Sequence, residues 1–462
     1  MTHSTAFAAF MRAMQAPGAA GARAAAVDAL PALTGSGSLP AAFPCTDFAA
    51  ASIATAAQSL ARYMAQRFGR LPAVSVDRRL ASFWFATSLR PQGWPLPAVR
   101  DPVTGDYATE DGWIRLHANA PHHRAAALAV LDVEPAHDRV ARAMANRRAI
   151  ELESAIVAAG GCAAAMRTQA AWREHPQGLA LQAEPLFHHQ AGDVGPNADP
   201  AGRLERPLDG IRVLDLTRVL AGPVSTRFLA GYGAQVLRID PPFWTEPGMV
   251  PEVTLGKRCA QLDLRIAAQK EQLKTLLAGA DVLVHGYRAD ALDRLGLDAQ
   301  ARQRIRPGLI DVCLNAYGWT GPWQTRRGFD SLVQMSCGIA DTGMKRYGAD
   351  RPTPLPVQAL DQATGYLMAA AVLDGLSERL ASGRGTHSRL SLARTAHLLM
   401  TQNGAEESAP LAPEHADDCS AALERTSWGP AHRIKPPCTV EGAAMHWDLP
   451  AHALRSSRAE WR

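Results

Sequence analysis

Asp330 stands where an acidic side chain could do chemistry, at the start of a predicted helix and directly after Gly328 and Phe329. The first-turn amides and the positive end of that helix favour the charged form of a carboxylate. An ionised carboxylate can attack an electrophilic carbon, but an aspartate before an apolar helix more often only caps the helix. The residue alone therefore leaves both roles open.

Basic side chains recur at the ends of predicted strands or in the turns beside them. Arg218 and Arg288 follow two strands, Arg238 lies at the end of another, and Lys257 and Arg258 lie in a predicted turn. Arginine binds phosphate as a fork and lysine binds it as a point charge, although a basic turn is otherwise simply solvated. Open α/β sheets bind ligands at the carboxyl ends of their strands. The pattern is thus compatible with an anionic ligand at this edge.

The elements that must position these residues alternate between strand and helix from residue 207 onward. Strands are predicted at 211–216, 235–239, 281–285, 309–315 and 388–391, and helices at 223–232, 266–279, 289–304 and 359–382. Regular alternation indicates a parallel sheet. The predicted fold class is α/β, a Rossmann-like parallel sheet with helices on both faces plus a smaller α+β domain.

Composition and pattern divide the chain into five segments. They are a helical N-terminal segment at 1–70, a small α+β domain at 71–187, a linker at 188–206, the Rossmann-like domain at 207–402 and a tail at 403–462. The linker prediction rests on a polar stretch that is rich in glycine and proline.

Bulk composition excludes several classes of protein. The 462 residues are 47% hydrophobic, which is enough for two or three hydrophobic cores. The formal net charge of +4 is too weak for a nucleic-acid-binding surface. Seven scattered cysteines without a CxxC pair fit a reducing compartment. No secretory leader and no membrane-length apolar run is found, so we expect a cytoplasmic protein without a membrane partner.

Two other site types are not expected. His117, His122 and His123 lack cysteines or spaced acids beside them, so no metal site is predicted. The turn after the first strand of the 207–402 segment lacks the G-x-G-x-x-G pattern, which argues against a nicotinamide enzyme.

Two phrases of the chain resemble the family III CoA-transferases, the CaiB/BaiF group. They are LDLTRVLAGP at 214–223 and RGFDSLVQM at 327–335. The resemblance is dense over 207–400, and 70–187 is similar to the family's small domain. That domain precedes the large one here, so the family's usual order is reversed.

The resemblance implies both an activity and a set of residues. It implies that Asp330 is the nucleophile that attacks an acyl-CoA carbonyl, with an aspartyl anhydride and an aspartyl thioester as intermediates. It implies that the CoA contacts are Arg218, Ala221, Arg238, Lys257, Arg258, Arg288, Tyr317 and Gly318. Asp361 matches the family's Asp-x-x-Thr-Gly and is interpreted as a helix cap.

The resemblance also implies partners. An acyl-CoA and a carboxylic acid are the expected substrates, so a CoA thioester is turned over and no cofactor is bound permanently. The family forms interlocked homodimers, which makes a homodimer the expected assembly.

Two alternatives stay open. An acyl-CoA racemase or epimerase of the same superfamily needs two bases, and we expect only one because Phe329 precedes Asp330 and 289–304 has no histidine. A non-catalytic paralogue that binds CoA esters is the other alternative, favoured by the reversed order and by the loss of the Pro-Gly pair after Arg288.

Overall fold

The computed structural model describes residues 4–15, 30–97, 101–196, 202–288, 290–402, 404 and 409–462. The α-helices in these ranges are α1 (Thr5–Ala13), α2 (Cys45–Phe68), α3 (Arg78–Ala86), α4 (Pro121–Leu131), α5 (His137–Ala145), α6 (Ala149–Ala158), α7 (Gln169–Glu174), α8 (Pro176–Ala183), α9 (Ala221–Gly231), α10 (Val250–Val253), α11 (Ala267–Ala278), α12 (Ala299–Ile305), α13 (Asp330–Ser336), α14 (Ile339–Tyr347), α15 (Ala359–Ser382) and α16 (Leu392–Met400). The strands are β1 (Ala32–Thr34), β2 (Val74–Asp77), β3 (Leu89–Pro91), β4 (Gly105–Thr109), β5 (Gly112–Leu116), β6 (Ala163–Ala165), β7 (His188–Val194), β8 (Arg212–Leu216), β9 (Gln235–Asp240), β10 (Lys257–Gln261), β11 (Val282–His285), β12 (Ile310–Asn315), β13 (Arg384–Ser391), β14 (Glu424–Thr426), β15 (Gly429–Arg433) and β16 (Cys438–Val440).

Seven strands form one sheet in the order β10-β9-β8-β11-β12-β13-β7. The strands from β8 to β13 run parallel to their neighbours, and β7 pairs antiparallel with β13 at the edge. The strand order reverses between β8 and β11, and the crevice outside their carboxyl ends is where sheets of this type bind ligands. The predicted α/β class is confirmed.

Helices cover both faces of the sheet because its central strands are apolar on both sides. Val213 and Val236 belong to a core with α9, α15 and α2. Leu214 and Leu237, one position along each strand, belong to a second core with α11. Successive strand residues point to opposite faces, so this alternation of cores is what buries the sheet on both sides.

A smaller α+β unit precedes the large sheet, as predicted. Strands β4, β5 and β6 form an antiparallel sheet, and helices α4, α5 and α6 pack on it. Its own core includes Tyr107, Ile114, Val140 and Leu152.

The N-terminal segment contributes to the main core. Helix α2 is rich in alanine and lies along α15, so small side chains let the two helix backbones approach closely. The described residues of the predicted 1–70 segment form α1 and α2, and they also contain β1, which pairs with β2.

The tail holds strands that the sequence pattern did not indicate. Strand β16 pairs with β2, and β14 and β15 form a small sheet with β3. These strands are three to five residues long, too short to show a clear periodicity.

Three further predictions are corrected. The first seven residues of the predicted 188–206 linker form β7, an edge strand whose polar, largely exposed side chains resemble those of a loop. The predicted turn at Lys257 and Arg258 is the start of β10. The predicted helix at 289–304 is a 3₁₀ turn, Asp293–Leu295, followed by α12, and residue 289 lies outside the described residues.

Within the described ranges, no helix has both the length and the apolar composition that crossing a bilayer requires.

Candidate active site

Two adjoining cavities open at the carboxyl edge of the sheet, beside the crevice between β8 and β11. The larger, about 410 Å³, is called the basic cavity and is lined by Arg218, Ala221, Arg288, Arg326 and Arg327 among others. The smaller, about 300 Å³, is called the Asp330 cavity and is lined by His117, Asn119, Trp244, Glu246, Met249, Asp330, Gln358 and others. The two cavities share Val219, Trp244, Phe329 and Asp361. A ligand could therefore extend from one cavity into the other.

Asp330 lies at the first position of α13, and its carboxylate is held by another helix. Its Oδ2 accepts hydrogen bonds from the backbone amides of Leu360 and Asp361, at 2.9 and 3.0 Å, in the first turn of α15. Its Oδ1 accepts a hydrogen bond from the Gln334 side chain. We expected the amides of α13 itself to stabilise this carboxylate, but the free first-turn amides of α15 do so instead.

The protonation of Asp330 is set by two opposing effects. Burial raises the pKa of Asp330 to about 6, and the hydrogen bonds from Asp361, Gln334 and Leu360 hold it from rising further. The carboxylate is consequently mostly ionised near neutral pH. It is also more basic, and so a better nucleophile, than an ordinary aspartate carboxylate.

Asp361 is a second carboxyl group on the same cavity wall. Burial raises its pKa well above the ordinary value, and the neighbouring Asp330 carboxylate raises it further. We expected Asp361 to be a helix cap, yet none of the described residues hydrogen-bonds to its carboxyl group, which lines both cavities. Asp361 therefore holds its proton more readily than an ordinary aspartate, and it lines the same cavity as Asp330.

The backbone is strained where the cavities meet. Val219 has a φ of 64°, in the left-handed region that β-branched residues rarely adopt. Its amide donates to Glu246 Oε2 at 2.8 Å, which holds the turn after β8 in place. Strain of this kind is characteristic of functional sites.

Arginine side chains give the basic cavity its charge. Arg218 packs between the rings of Trp244 and Tyr287, with its guanidinium carbon 4.8 and 5.2 Å from the two ring centroids. Its Nε is buried without a hydrogen-bond partner among the described residues. Arg288 lies exposed at the rim. The cavity can therefore hold phosphate groups through charge and through an unused donor.

Three residues expected to contact CoA lie elsewhere. Lys257 is fully buried, and its Nζ donates to Asp215 Oδ2 at 3.0 Å and to the Pro223 carbonyl at 2.8 Å. Arg238 is buried and paired with Asp240 and with Glu246.

Arg258 donates to the backbone carbonyls of Glu460 and Arg458. None of these three basic residues lines either cavity, because each is bonded inside the protein.

Tyr317 and Gly318 pack behind the residues that line the cavities, and neither of them lines a cavity itself. The Tyr317 ring is buried, and its hydroxyl group lies 3.1 Å from Ser336 Oγ. A Cβ at Gly328 would lie 2.7 Å from the Tyr317 ring and 2.6 Å from Ala316 Cβ, so only glycine allows this close approach at position 328. Gly318 has a φ of 106° and packs on Leu181 and Glu184.

Several residues that line the cavities were not predicted from the sequence. Trp244 and Glu246 follow β9, so their place at the carboxyl edge of a predicted strand could have indicated them. His117 follows β5 in the smaller unit and stacks on Phe329, with ring centroids 3.7 Å apart. No local signal places His117 beside a residue more than two hundred positions away.

His117 also corrects one premise. We expected the site to lack a second base, but His117 and Asp330 line the same cavity. Among the described residues, no group of three or more His, Cys, Asp or Glu is arranged to hold a metal ion.

Known proteins resemble the part of the chain that builds this site. Residues 208–424 match the model of CoA-transferase family III. The probable fatty acyl-CoA transferase Rv3272 of Mycobacterium tuberculosis is 34% identical over 202 residues, 41% of this chain and 50% of that protein. Succinyl-CoA:glutarate CoA-transferase of Mus musculus is 31% identical over 241 residues, 49% of this chain and 52% of that protein.

A crystal structure of a CaiB/BaiF family protein from Brucella suis is 27% identical and covers 49% of this chain and 65% of that one, with a TM-score of 0.38. The chain spans about half the length of the two curated relatives above. Residues 208–424, which include Asp330 and most of the lining of both cavities, are thus similar to CoA-transferase family III.

Proposed function

We propose that this chain transfers coenzyme A between carboxylic acids, with Asp330 as the covalent nucleophile. The observation that carries the proposal is the position of Asp330: its carboxylate lines a cavity that adjoins a cluster of arginines, inside the region that matches the family. A CoA thioester is then a substrate, and no cofactor is bound permanently.

The steps follow from the chemistry of a carboxylate and a thioester. An Asp330 oxygen attacks the thioester carbon, the C–S bond breaks, and CoA leaves as a thiolate. The thiolate attacks the aspartyl carbonyl of the anhydride, which releases the donor acid and leaves an aspartyl thioester. The acceptor carboxylate attacks that thioester, and the freed thiolate attacks the acceptor carbonyl of the new anhydride, which regenerates Asp330.

Neighbouring groups have defined parts in these steps. The amides of Leu360 and Asp361 bind the charged form of Asp330 whenever it is released. Arg218, with its unpartnered Nε, and Arg288 would bind the phosphates of CoA, so the thiolate stays nearby between steps. Ala221 lines the same cavity at the start of α9.

Trapping the covalent intermediate tests the proposal. The protein is incubated with a panel of acyl-CoA thioesters and then with hydroxylamine, and its mass and modified peptide are determined. We expect a hydroxamate on Asp330. Asp330→Asn should give no adduct and lower the transfer rate by at least about 10³-fold, because the nucleophile is lost. Asp350→Asn, an exposed aspartate, is the control.

A second candidate function has a specific observation in its favour. His117 and Asp330 share one cavity, and racemisation needs two groups that move a proton at the α-carbon. Exchange of α-deuterium without movement of CoA would support a racemase, whereas a trapped aspartyl adduct with CoA movement supports transfer. Binding of CoA esters with neither reaction would indicate a non-catalytic paralogue.

Three broader features are part of the proposal. The strand order supports a Rossmann-like description of the 207–402 domain. The resemblance supports a homodimer, which analytical ultracentrifugation would test. The seven cysteines, all unpaired and six of them buried, support a cytoplasmic location.

A further inference from the structure

The two cavities differ in charge. Arg218, Arg288, Arg326 and Arg327 line the basic cavity. Among the described residues that line the Asp330 cavity, by contrast, there is no lysine and no arginine. The arginines that a polyanionic ligand would bind are thus on one side of the shared wall, whereas His117 is the one basic side chain among the described residues that line the Asp330 cavity.

This asymmetry fixes how a CoA thioester would lie, given the proposed function on which the inference depends. The phosphates belong in the basic cavity, because arginine binds phosphate best. The thioester carbon must reach the Asp330 carboxylate in the other cavity. The acyl group beyond that carbon therefore occupies the Asp330 cavity.

The arginines that pair with carboxylates of the Asp330 cavity are not free to bind a ligand. Glu246 is bonded to Arg238 and to the Val219 amide. Asp101 is bonded to Arg124 at 2.6 Å, so that cation is already paired. Two carboxyl groups, Asp330 and Asp361, remain to face an incoming ligand.

A second carboxylate on the acyl group would be poorly placed in this cavity. It would lose much of its hydration, lie near ionised Asp330 and find no lysine or arginine among the described lining residues. Both the desolvation of an unpaired charge and the repulsion of like charges disfavour it. An uncharged acyl group meets neither cost.

The remaining lining fits an apolar chain of limited length. Ala120, Pro121, Trp244, Pro247 and Met249 present apolar surface, and the cavity holds about 300 Å³. Such a space accommodates a short or medium acyl group.

We propose that the Asp330 cavity is an acyl-binding site selective for uncharged acyl groups, so that this chain uses monocarboxylic acids and their CoA thioesters and discriminates against dicarboxylic ones. The discrimination comes from the lack of lysine and arginine in the described lining and not from a clash.

Matched thioester pairs test this selectivity in the 462-residue chain. Each pair has one chain length and differs in the terminal carboxylate: propionyl- and malonyl-CoA, butyryl- and succinyl-CoA, pentanoyl- and glutaryl-CoA. The readouts are kcat/KM for transfer and the rate of adduct formation on Asp330. We expect the uncharged member to react at least about tenfold faster in every pair that reacts, a typical cost of one unpaired charge.

Equal or faster reaction of the dicarboxylic members, with the adduct still on Asp330, overturns the selectivity and leaves the proposed function standing. No adduct and no transfer with any thioester overturns the proposed function, and the selectivity falls with it.

A charge-insertion variant tests the physical cause. Thr245 is exposed at the cavity wall, and no side-chain hydrogen bond of the described residues is lost with it. Thr245→Arg should shift the succinyl-to-butyryl ratio of kcat/KM upward by at least about tenfold, because it supplies the missing cation. Thr275→Arg, at an exposed threonine on α11, should leave the ratio unchanged. An unchanged ratio in folded Thr245→Arg overturns the electrostatic explanation.

Discussion

At the scale of single residues, the site contains two carboxyl groups whose surroundings stabilise the charged form to different extents. Asp330 has two backbone amides and the Gln334 side chain to stabilise its charge. The Asp361 carboxyl group has no such donors among the described residues, and burial raises its pKa well above the ordinary value. The charged form is thus better stabilised at Asp330, and the proton is held more readily at Asp361, which suits Asp330 to the proposed role of nucleophile.

The pKa of Asp330 gives the reaction a pH dependence. We expect kcat/KM to fall as the pH decreases below about 6, because protonation removes the nucleophile. The measurement is kcat/KM between about pH 5 and pH 8 in buffers of constant ionic strength. A profile that is flat through this range would contradict the assignment.

The same pKa makes the Asp330 carboxylate costly to the fold. Its pKa in the folded protein, about 6, exceeds the ordinary 3.8. Its contribution to the free energy of unfolding is therefore fully present below about pH 4 and is lost as the pH rises through about 6. The free energy of unfolding falls by at most about 3 kcal/mol over this range. The free energy of unfolding of Asp330→Asn, relative to the unchanged protein, should therefore be higher at about pH 8 than at about pH 4.5. Denaturant titrations at both pH values measure this, with Asp350→Asn for comparison.

At the scale of elements, much of the large domain could be predicted because its helices and strands have strong local patterns. Helix α15 has the predicted bounds, and β8, β9, β11 and β12 agree to within a residue at each end. Strand β10 was missed because Lys257 and Arg258 resemble a solvated turn. The burial of Lys257 depends on Asp215, 42 positions earlier in the chain, and no local pattern contains that information.

Lys257 is thus expected to stabilise the sheet and not to bind CoA. Asp215 lies on β8 and Lys257 on β10, so the pair spans β9, and both side chains are fully buried. Lys257→Met should lower the free energy of unfolding by about 3–5 kcal/mol, because it leaves a buried carboxylate without its cation. Chemical denaturation measures the loss, and Lys435→Met, at an exposed lysine, is the control. Normal stability with weakened CoA binding would instead indicate a phosphate contact.

At the scale of the whole molecule, the site is assembled from the large sheet and the smaller unit before it. The smaller unit supplies His117, Asn119 and His122 to the cavities. The sequence indicated that this unit exists but not how it docks, because docking depends on contacts between distant segments. The stretches at 73–82 and 388–397 are similar in sequence, and each contains the end of a strand followed directly by a helix.

Glu153 is the charged link between the two parts. It is buried in α6, and its carboxylate is paired with Arg167 and with Arg326, which directly precedes the RGFDSLVQM phrase. Glu153→Ala leaves two guanidinium groups without their partner, so we expect a loss of about 3 kcal/mol in stability and a lower kcat/KM. Denaturation and transfer assays measure the two effects. Glu151→Ala, at an exposed position of the same helix, should change neither.

The anchoring of Asp330 by α15 has a consequence for the catalytic cycle. In the proposed reaction, acylation of the side chain removes its negative charge, and the oxygen left beside the Leu360 and Asp361 amides is then a much weaker acceptor. The head of a 24-residue helix, which packs along α2 and beside β13, is consequently held tightly in the resting enzyme and loosely in the covalent intermediate. Each turnover would relax and restore that hold, so the bonding state of a single carboxyl group is communicated to the centre of the protein.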